Sequence, residues 1–280
     1  MWIDTHAHLD AAELDAQRAA VLQRAARAGV GCVVIPAVEP ANFAAVRALA
    51  HDHGHAYALG VHPLYVPRLR REHLDLLREE LRRRLDDPRL VAVGEIGLDH
   101  LVAQQPAERD EQAWWLERQL ELAAEFALPV LLHVRRAQDA VAAALRRRAW
   151  GTRERGGIAH AFNGSEQQAR AFLAQGLCLG FGGTLSFERS RNIRRLAQGL
   201  PEEALVLETD APDMAPQWIA QGPEPRPNEP SELPRIGAVL AGLRGWTPQH
   251  TATVTAANAM RALPRLRTLL AGEGTAPARA

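Results

Sequence analysis

Most of the residues in this 280-residue chain that could do chemistry sit at the ends of apolar runs. "WIDTHAH" closes the first run with Asp4, His6 and His8, spaced by two. Residues two apart on an extended strand share a face, so the two imidazoles point the same way. An isolated His-x-His pair reads as satisfied histidines, but this one has company. "AVGEI" carries Glu95, "VLLHV" His133, "GIAHAF" His160, and "LVLETD" ends on Asp210. An apolar residue would cost less at each of these half-buried positions. Four imidazoles and two carboxylates brought together make a ligand set for divalent metal. Six ligands are too many for one zinc with an open position, but suit two metals that share a carboxylate. The expected division is His6, His8 and Asp210 on one metal, His133 and His160 on the other, with Glu95 bridging. All 33 basic residues are arginine, which excludes Schiff-base and carboxylated-lysine chemistry and leaves Glu95 as the bridging anion. Such a pair would acidify a shared water and neutralise charge on a phosphate or carbonyl oxygen, while Asp210 orients that water or takes its proton. That chemistry is hydrolysis. Nitrogen-rich ligands suit zinc, manganese or nickel, whereas magnesium prefers oxygen and water.

Eight elements must carry these residues to one place. Candidate strands are "WIDTH", "VGCVVIPA", "AYALGVH", "LVAVGEIGL", "PVLLHV", "GGIAHAF", "LCLGFGG" and "LVLETD". Helical periodicity marks Ala11–Ala28, Pro40–His53, Glu72–Leu85, Glu108–Phe126, Gln138–Arg147, Ser165–Gln175, Arg191–Gln198 and Ser231–Leu243 between and after them. This alternation predicts an α/β protein, a single-domain TIM-type (β/α)8 barrel over residues 1–263 followed by a C-terminal tail over 264–280. All six candidate ligands then lie at carboxyl ends of strands, the face on which barrel active sites assemble. A doubly wound open sheet is the runner-up, but no Gly-rich nucleotide fingerprint follows any strand. The proline-rich loop Ala211–Pro230 follows the eighth strand and would cover the catalytic face. The ending "AGEGTAPARA" reads as frayed.

Charge balances at 33 acidic and 33 basic residues, so no global field draws the chain to nucleic acid or membrane. Any nucleic-acid contact must be local, and neutrality favours short or single-stranded substrates. "ERSRNIRR" after the seventh strand offers Arg189, Arg191 and Arg194 near the usual phosphate site of barrels, although a solvated surface helix is the simpler account. Trp218 either stacks on a base or packs against the barrel rim. Cys32 and Cys178 lie in apolar runs, as buried thiols of a reducing compartment do. No apolar run reaches membrane-spanning length and the first strand leaves no room for a signal peptide, so the expected location is cytoplasmic. No obligate protein partner is evident.

The motifs together resemble the TatD family of metal-dependent deoxyribonucleases, a branch of the wider amidohydrolase-like barrel hydrolases. The matching segments are "IDTHAHLD", "GVHP", "VGEIGLD", "ERQLELAAEFALPVLLHVRRA", "HAFNGS", "LGFGGTLSF", "LETDAPDMAP", "RPNEPSELP" and "TAANAMR", from residue 1 to about residue 263. The resemblance implies a barrel, a pair of divalent metals and phosphodiester hydrolysis on DNA, and the neutral net charge fits an exonuclease working from single-stranded ends. The resemblance also implies the ligands already named: His6, His8, Glu95, His133, His160 and Asp210. It further suggests substrate contacts at His62, which could equally be a loop histidine, and at Arg135, whose guanidinium could grip phosphate. Glu208 is either a support for the metal ligands or a buried structural carboxylate. His100, Ala161, Asn163 and Val134 depart from the family pattern and bear on substrate choice. A hydrolase of another ester or amide, such as a D-aminoacyl-tRNA deacylase, is the competing reading. A non-enzymatic binding barrel would have no need of the full ligand set.

Overall fold

In the computed structural model, which describes residues 1–153, 156–222 and 226–273, eight parallel strands stand side by side in chain order. They are β1 (Trp2–Asp4), β2 (Val30–Pro36), β3 (Ala56–Leu59), β4 (Leu90–Asp99), β5 (Val130–Arg135), β6 (Gly157–Ala159), β7 (Cys178–Phe181) and β8 (Leu205–Leu207). Helices α1 (Arg18–Arg27), α2 (Phe43–His53), α3 (Glu72–Arg84), α4 (Pro106–Glu125), α5 (Gln138–Arg147), α6 (Glu166–Leu173) and α7 (Arg191–Gly199) join successive strands. The short α8 (Gln217–Ala220) and then α9 (Leu233–Arg244) follow β8. This is the expected (β/α)8 barrel. Local chemistry sets the helix ends: the Ser165 hydroxyl accepts the Gln168 N–H at 3.1 Å to start α6, and Pro106 opens α4 behind a capping box.

The barrel interior is layered. Ile3, Cys32, Val34, Ala58, Val91, Leu131, Ile158, Cys178 and Val206, at least one from every strand, pack into one cluster. Their chain neighbours, such as Val33, Tyr57, Leu132, Leu179 and Leu205, pack into the larger core that includes the surrounding helices. With a period of two, the next inward residue above Leu131 is His133, above Ile158 is His160, and above Val206 is Glu208. Gly180 comes next above Cys178, and a Cβ there would overlap Glu208 Oε2. The missing side chain makes room for that carboxylate.

The seam between β1 and β8 closes within the same polar layer. Thr5 donates its N–H to Leu207 O at 3.1 Å, Asp210 to His6 O at 2.9 Å, and His8 to Ala211 O at 2.7 Å. Buried Asp4 accepts the Thr209 N–H at 3.0 Å and hydroxyl at 2.6 Å, joining the strands by side chain as well.

Besides the short α8, two further helices, α10 (Pro248–Ala262) and α11 (Pro264–Glu273), lie beyond the eight expected ones. Ala256, Ala259, Leu263, Leu266 and Leu269 from this segment join the lumen cluster and close the end of the barrel opposite the histidines. The segment expected to be a tail from residue 264 therefore starts as a packed helix. Leu266 and Leu269, three apart, put one apolar face on the lumen. Residues 274–280 lie outside the described residues. A start signal for α10 was present in the sequence, since Thr247 accepts the His250 N–H at 3.1 Å with Pro248 in the first turn.

Candidate metal centre

The strand ends bring His6, His8, Glu95, His133, His160 and Asp210 together at one rim. Glu95 lies at the centre, and its two oxygens face different partners. Oε2 is 3.2 Å from His6 Nε2 and 3.4 Å from His8 Nε2. Oε1 is 3.0 Å from His133 Nδ1 and 2.9 Å from His160 Nε2. Asp210 Oδ1 joins the first side, 3.6 Å from His6 Nε2 and 3.8 Å from His8 Nε2. His62 joins the second, with Nε2 3.3 Å from Glu95 Oε1 and its ring 4.3 Å from that of His133. His62 also accepts the Leu64 N–H on Nδ1 at 3.1 Å, a contact within its own loop.

This donor set fits cations and fits badly without them. His6 Nε2 lies 3.3 Å from His8 Nε2, and His133 Nδ1 lies 3.3 Å from His160 Nε2. A neutral imidazole has one N–H and one lone pair, so five rings around one carboxylate cannot all be satisfied by it. Among the described residues, the Nδ1 atoms of His6 and His160 and Oε2 of Glu208 are buried without a hydrogen-bond partner. Candidate ligand atoms group as His6–His8–Asp210, His6–Glu95–His160 and His62–Glu95–His133, each within 4.8 Å. Nitrogen and carboxylate donors at this spacing suit zinc-like divalent ions.

Without a cation the site distributes protons unevenly. Burial opposes charge on His8, but the hydrogen bond and field of Glu95 raise it to about 9. Burial and the neighbouring His160 push His6 down to about 3. Glu95 is opposed by burial yet held well below the usual carboxylate range by His62, His160 and His6. Burial raises Asp210 to about 6, against the pull of His160 and His8. Asp210 also has φ 57°, and Arg136 and Ala161, just past β5 and β6, have φ 54° and 45°. Non-glycine residues in the left-handed region cost energy, and such costs collect at functional rims.

The remaining candidates divide. Arg135 is exposed beside His133, with Nη1 3.7 Å from Asp99 Oδ2. Glu208 is fully buried, 3.6 Å from His160 Nδ1. Arg194 donates to Leu185 O at 2.7 Å and so ties α7 to the turn before it. Arg189 lies over the Phe187 ring at 5.2 Å, and Arg191 is exposed. The Trp218 indole donates to Glu232 at 2.7 Å under the Arg235 guanidinium, which is the packed account. Asp99, at the end of β4, was missed: Oδ2 lies 3.2 Å from His133 Nε2. The sequence offers only a carboxylate closing "VGEIGLD", four residues after Glu95, which by itself does not point to His133.

A family model described as TatD related DNase matches residues 3–264. An uncharacterized metal-dependent hydrolase, YjjV of Escherichia coli, is 43% identical over 87% of this chain and 90% of its own length. A 3'-5' ssDNA/RNA exonuclease TatD of Erwinia billingiae is 34% identical over 92% of this chain and 97% of its own. The crystal structure of the Escherichia coli TatD homologue YjjV superposes with a TM-score of 0.86 at 39% identity, covering 94% of this chain and 98% of that one. Among the described residues, no helix is long and apolar enough to cross a membrane.

Proposed function

This chain belongs to the TatD related DNase family of metal-dependent hydrolases, and from that premise we propose that it removes nucleotides from the ends of single-stranded DNA by hydrolysing phosphodiester bonds. The observation that carries the reading is the two-sided environment of Glu95, one oxygen toward His6 and His8 and the other toward His133 and His160. In this reading His6, His8 and Asp210 would hold one divalent ion, His133 and His160 the other, and Glu95 would be shared between them. Ions held there would supply Lewis acidity, lowering the pKa of water and offsetting charge on phosphate oxygens.

The chain's own groups do the rest. Asp210, at the His6 and His8 side of the site, takes the proton of the attacking water. Glu95 stays anionic at the centre of the imidazoles, as a group shared between two cations must. Arg135, exposed next to His133, holds non-bridging phosphate oxygens through its planar fork. His62 lines the second side and faces the same phosphate. Single-stranded ends suit a chain of zero formal net charge, which lacks the field to hold long duplex. The name of the Erwinia relative supports a single-stranded substrate, RNA as well as DNA.

Short single-stranded oligonucleotides labelled at either end, incubated with zinc, manganese, nickel or magnesium beside a charged tRNA, test this. Stepwise release of mononucleotides is expected, with loss of activity in Glu95→Ala although the variant still folds. Deacylation of the tRNA with intact oligonucleotides would replace the nuclease by the ester-hydrolase reading. Near-normal turnover by Glu95→Ala would refute the shared-carboxylate assignment.

A further inference from the structure

Asp99 is a buried carboxylate that neither the ligand set nor the proposed chemistry uses. It ends β4 with 0% exposure, and its surroundings leave it one pose. Oδ1 accepts the backbone N–H of Leu101 at 2.9 Å and of Val102 at 3.2 Å. Its own N–H is donated to Gln112 Oε1 at 2.9 Å, and Gln112 reaches on to Pro63 O at 3.3 Å. The β4–β5 register pairs Asp99 with Arg135 and Gly97 with His133. A Cβ at Gly97 would overlap the His133 backbone, so only glycine permits this approach. With Oδ1 occupied by the turn, Oδ2 faces His133 Nε2 at 3.2 Å.

We propose that Asp99 is a positioning residue that fixes the tautomer of His133, so that Nδ1 is the atom offered to the metal centre. An ionised carboxylate only accepts hydrogen bonds, so the His133 nitrogen facing it must carry the hydrogen. The lone pair of the neutral ring is then on Nδ1, the atom 3.0 Å from Glu95 Oε1 and 3.3 Å from His160 Nε2. His6, His8 and His160 turn Nε2 toward the same carboxylate, so His133 is the one ring of the four used in the opposite sense. The inference rests on His133 being a metal ligand and concerns the metal-loaded ring, since without a cation Glu95 Oε1, 3.0 Å from Nδ1, calls for a hydrogen there as well.

Asp99→Asn is the decisive variant because it keeps the shape and inverts the chemistry. The turn at Leu101 and Val102 requires an acceptor, so the amide oxygen must take the place of Oδ1. The amide NH2 then faces His133 Nε2 and demands a lone pair there, which moves the ring hydrogen to Nδ1. Two-bond 1H–15N spectra of the zinc-loaded protein should report His133 with its hydrogen on Nε2 in the wild type and should lose that pattern in the variant. Zinc affinity, measured by competition with a chromogenic chelator, should fall about 10- to 100-fold, the usual effect of losing a partner that orients a ligand. Thermal unfolding should show that the variant folds. The same tautomer in both proteins, or zinc affinity unchanged in the variant, would overturn the proposal. Failure of the wild type to bind zinc would instead remove the metal reading of His133 on which the proposal rests.

Discussion

At the scale of single residues, the ligand candidates were legible because each is a polar group at the end of an otherwise apolar strand, a placement that is costly unless something binds there. His62 was ambiguous because "GVHP" ends in a turn, and the structure gives it both a 3.3 Å approach to Glu95 and a contact within its own loop. Asp99 was not legible: a carboxylate before a turn is ordinary punctuation until its partner on β5 is known. Asp210 carries the clearest single-residue prediction. Asp210→Asn keeps the side-chain shape but cannot take a proton, so kcat on an oligonucleotide should fall by about 10²- to 10⁴-fold. The measurement is turnover at saturating metal, with a melting curve to verify the fold. A loss smaller than tenfold would remove Asp210 from proton transfer. Removing the metal with a chelator should also abolish turnover, and adding back a divalent ion should restore it. Restoration that fails with zinc, manganese, nickel and magnesium alike would count against the donor chemistry described above.

At the scale of elements, strands and helices were readable from periodicity, but the polar contacts that orient them against one another were not. Asp87, in the turn between α3 and β4, is an example. Its Oδ2 is 2.7 Å from His51 Nε2 on α2 and accepts the Tyr57 hydroxyl of β3 at 2.9 Å, while Oδ1 accepts the Arg89 N–H at 3.0 Å. One carboxylate thus joins three elements at the end of the barrel away from the metal centre. Burial opposes its charge, yet His51, the Arg89 N–H and Tyr57 lower its pKa below the ordinary value. A depressed folded-state pKa means stability that is present above the unfolded value and lost as pH falls through the folded one. Asp87→Asn should therefore lower stability at pH 7 by about 1–3 kcal/mol. It should also flatten the loss of stability below about pH 4, where an unfolded aspartate protonates. Urea unfolding of both proteins between neutral and acid pH checks the two effects. Parallel stability curves would mean that the carboxylate's charge contributes nothing.

At the scale of the whole molecule, the barrel is one stack of inward-facing layers with the candidate metal centre on top and a helix beneath. The sequence pattern showed the strands but not the plug, because "LPRLRTLL" has the composition of any amphipathic surface helix. Only the closed barrel reveals the apolar lumen that its leucines cover, among them Ile3, Val34, Leu131, Ile158 and Val206. Leu131 and Ile158 are also the residues two before His133 and His160, so the floor of the lumen and the ligand layer share strands. Leu266 is fully buried against this floor. Leu266→Ala would leave a cavity there and should cost about 2–5 kcal/mol, a large part of the roughly 5–15 kcal/mol that holds a domain folded. Because β5 and β6 carry ligands at their other ends, the same variant should bind zinc more weakly, although Leu266 lies at the opposite end of the lumen. The urea midpoint and a zinc competition titration, made on one preparation, measure both effects. A lowered midpoint with unchanged zinc affinity would show that the top of the barrel holds its geometry independently of the floor. An unchanged midpoint would mean that α11 is an attachment to the barrel and not its plug.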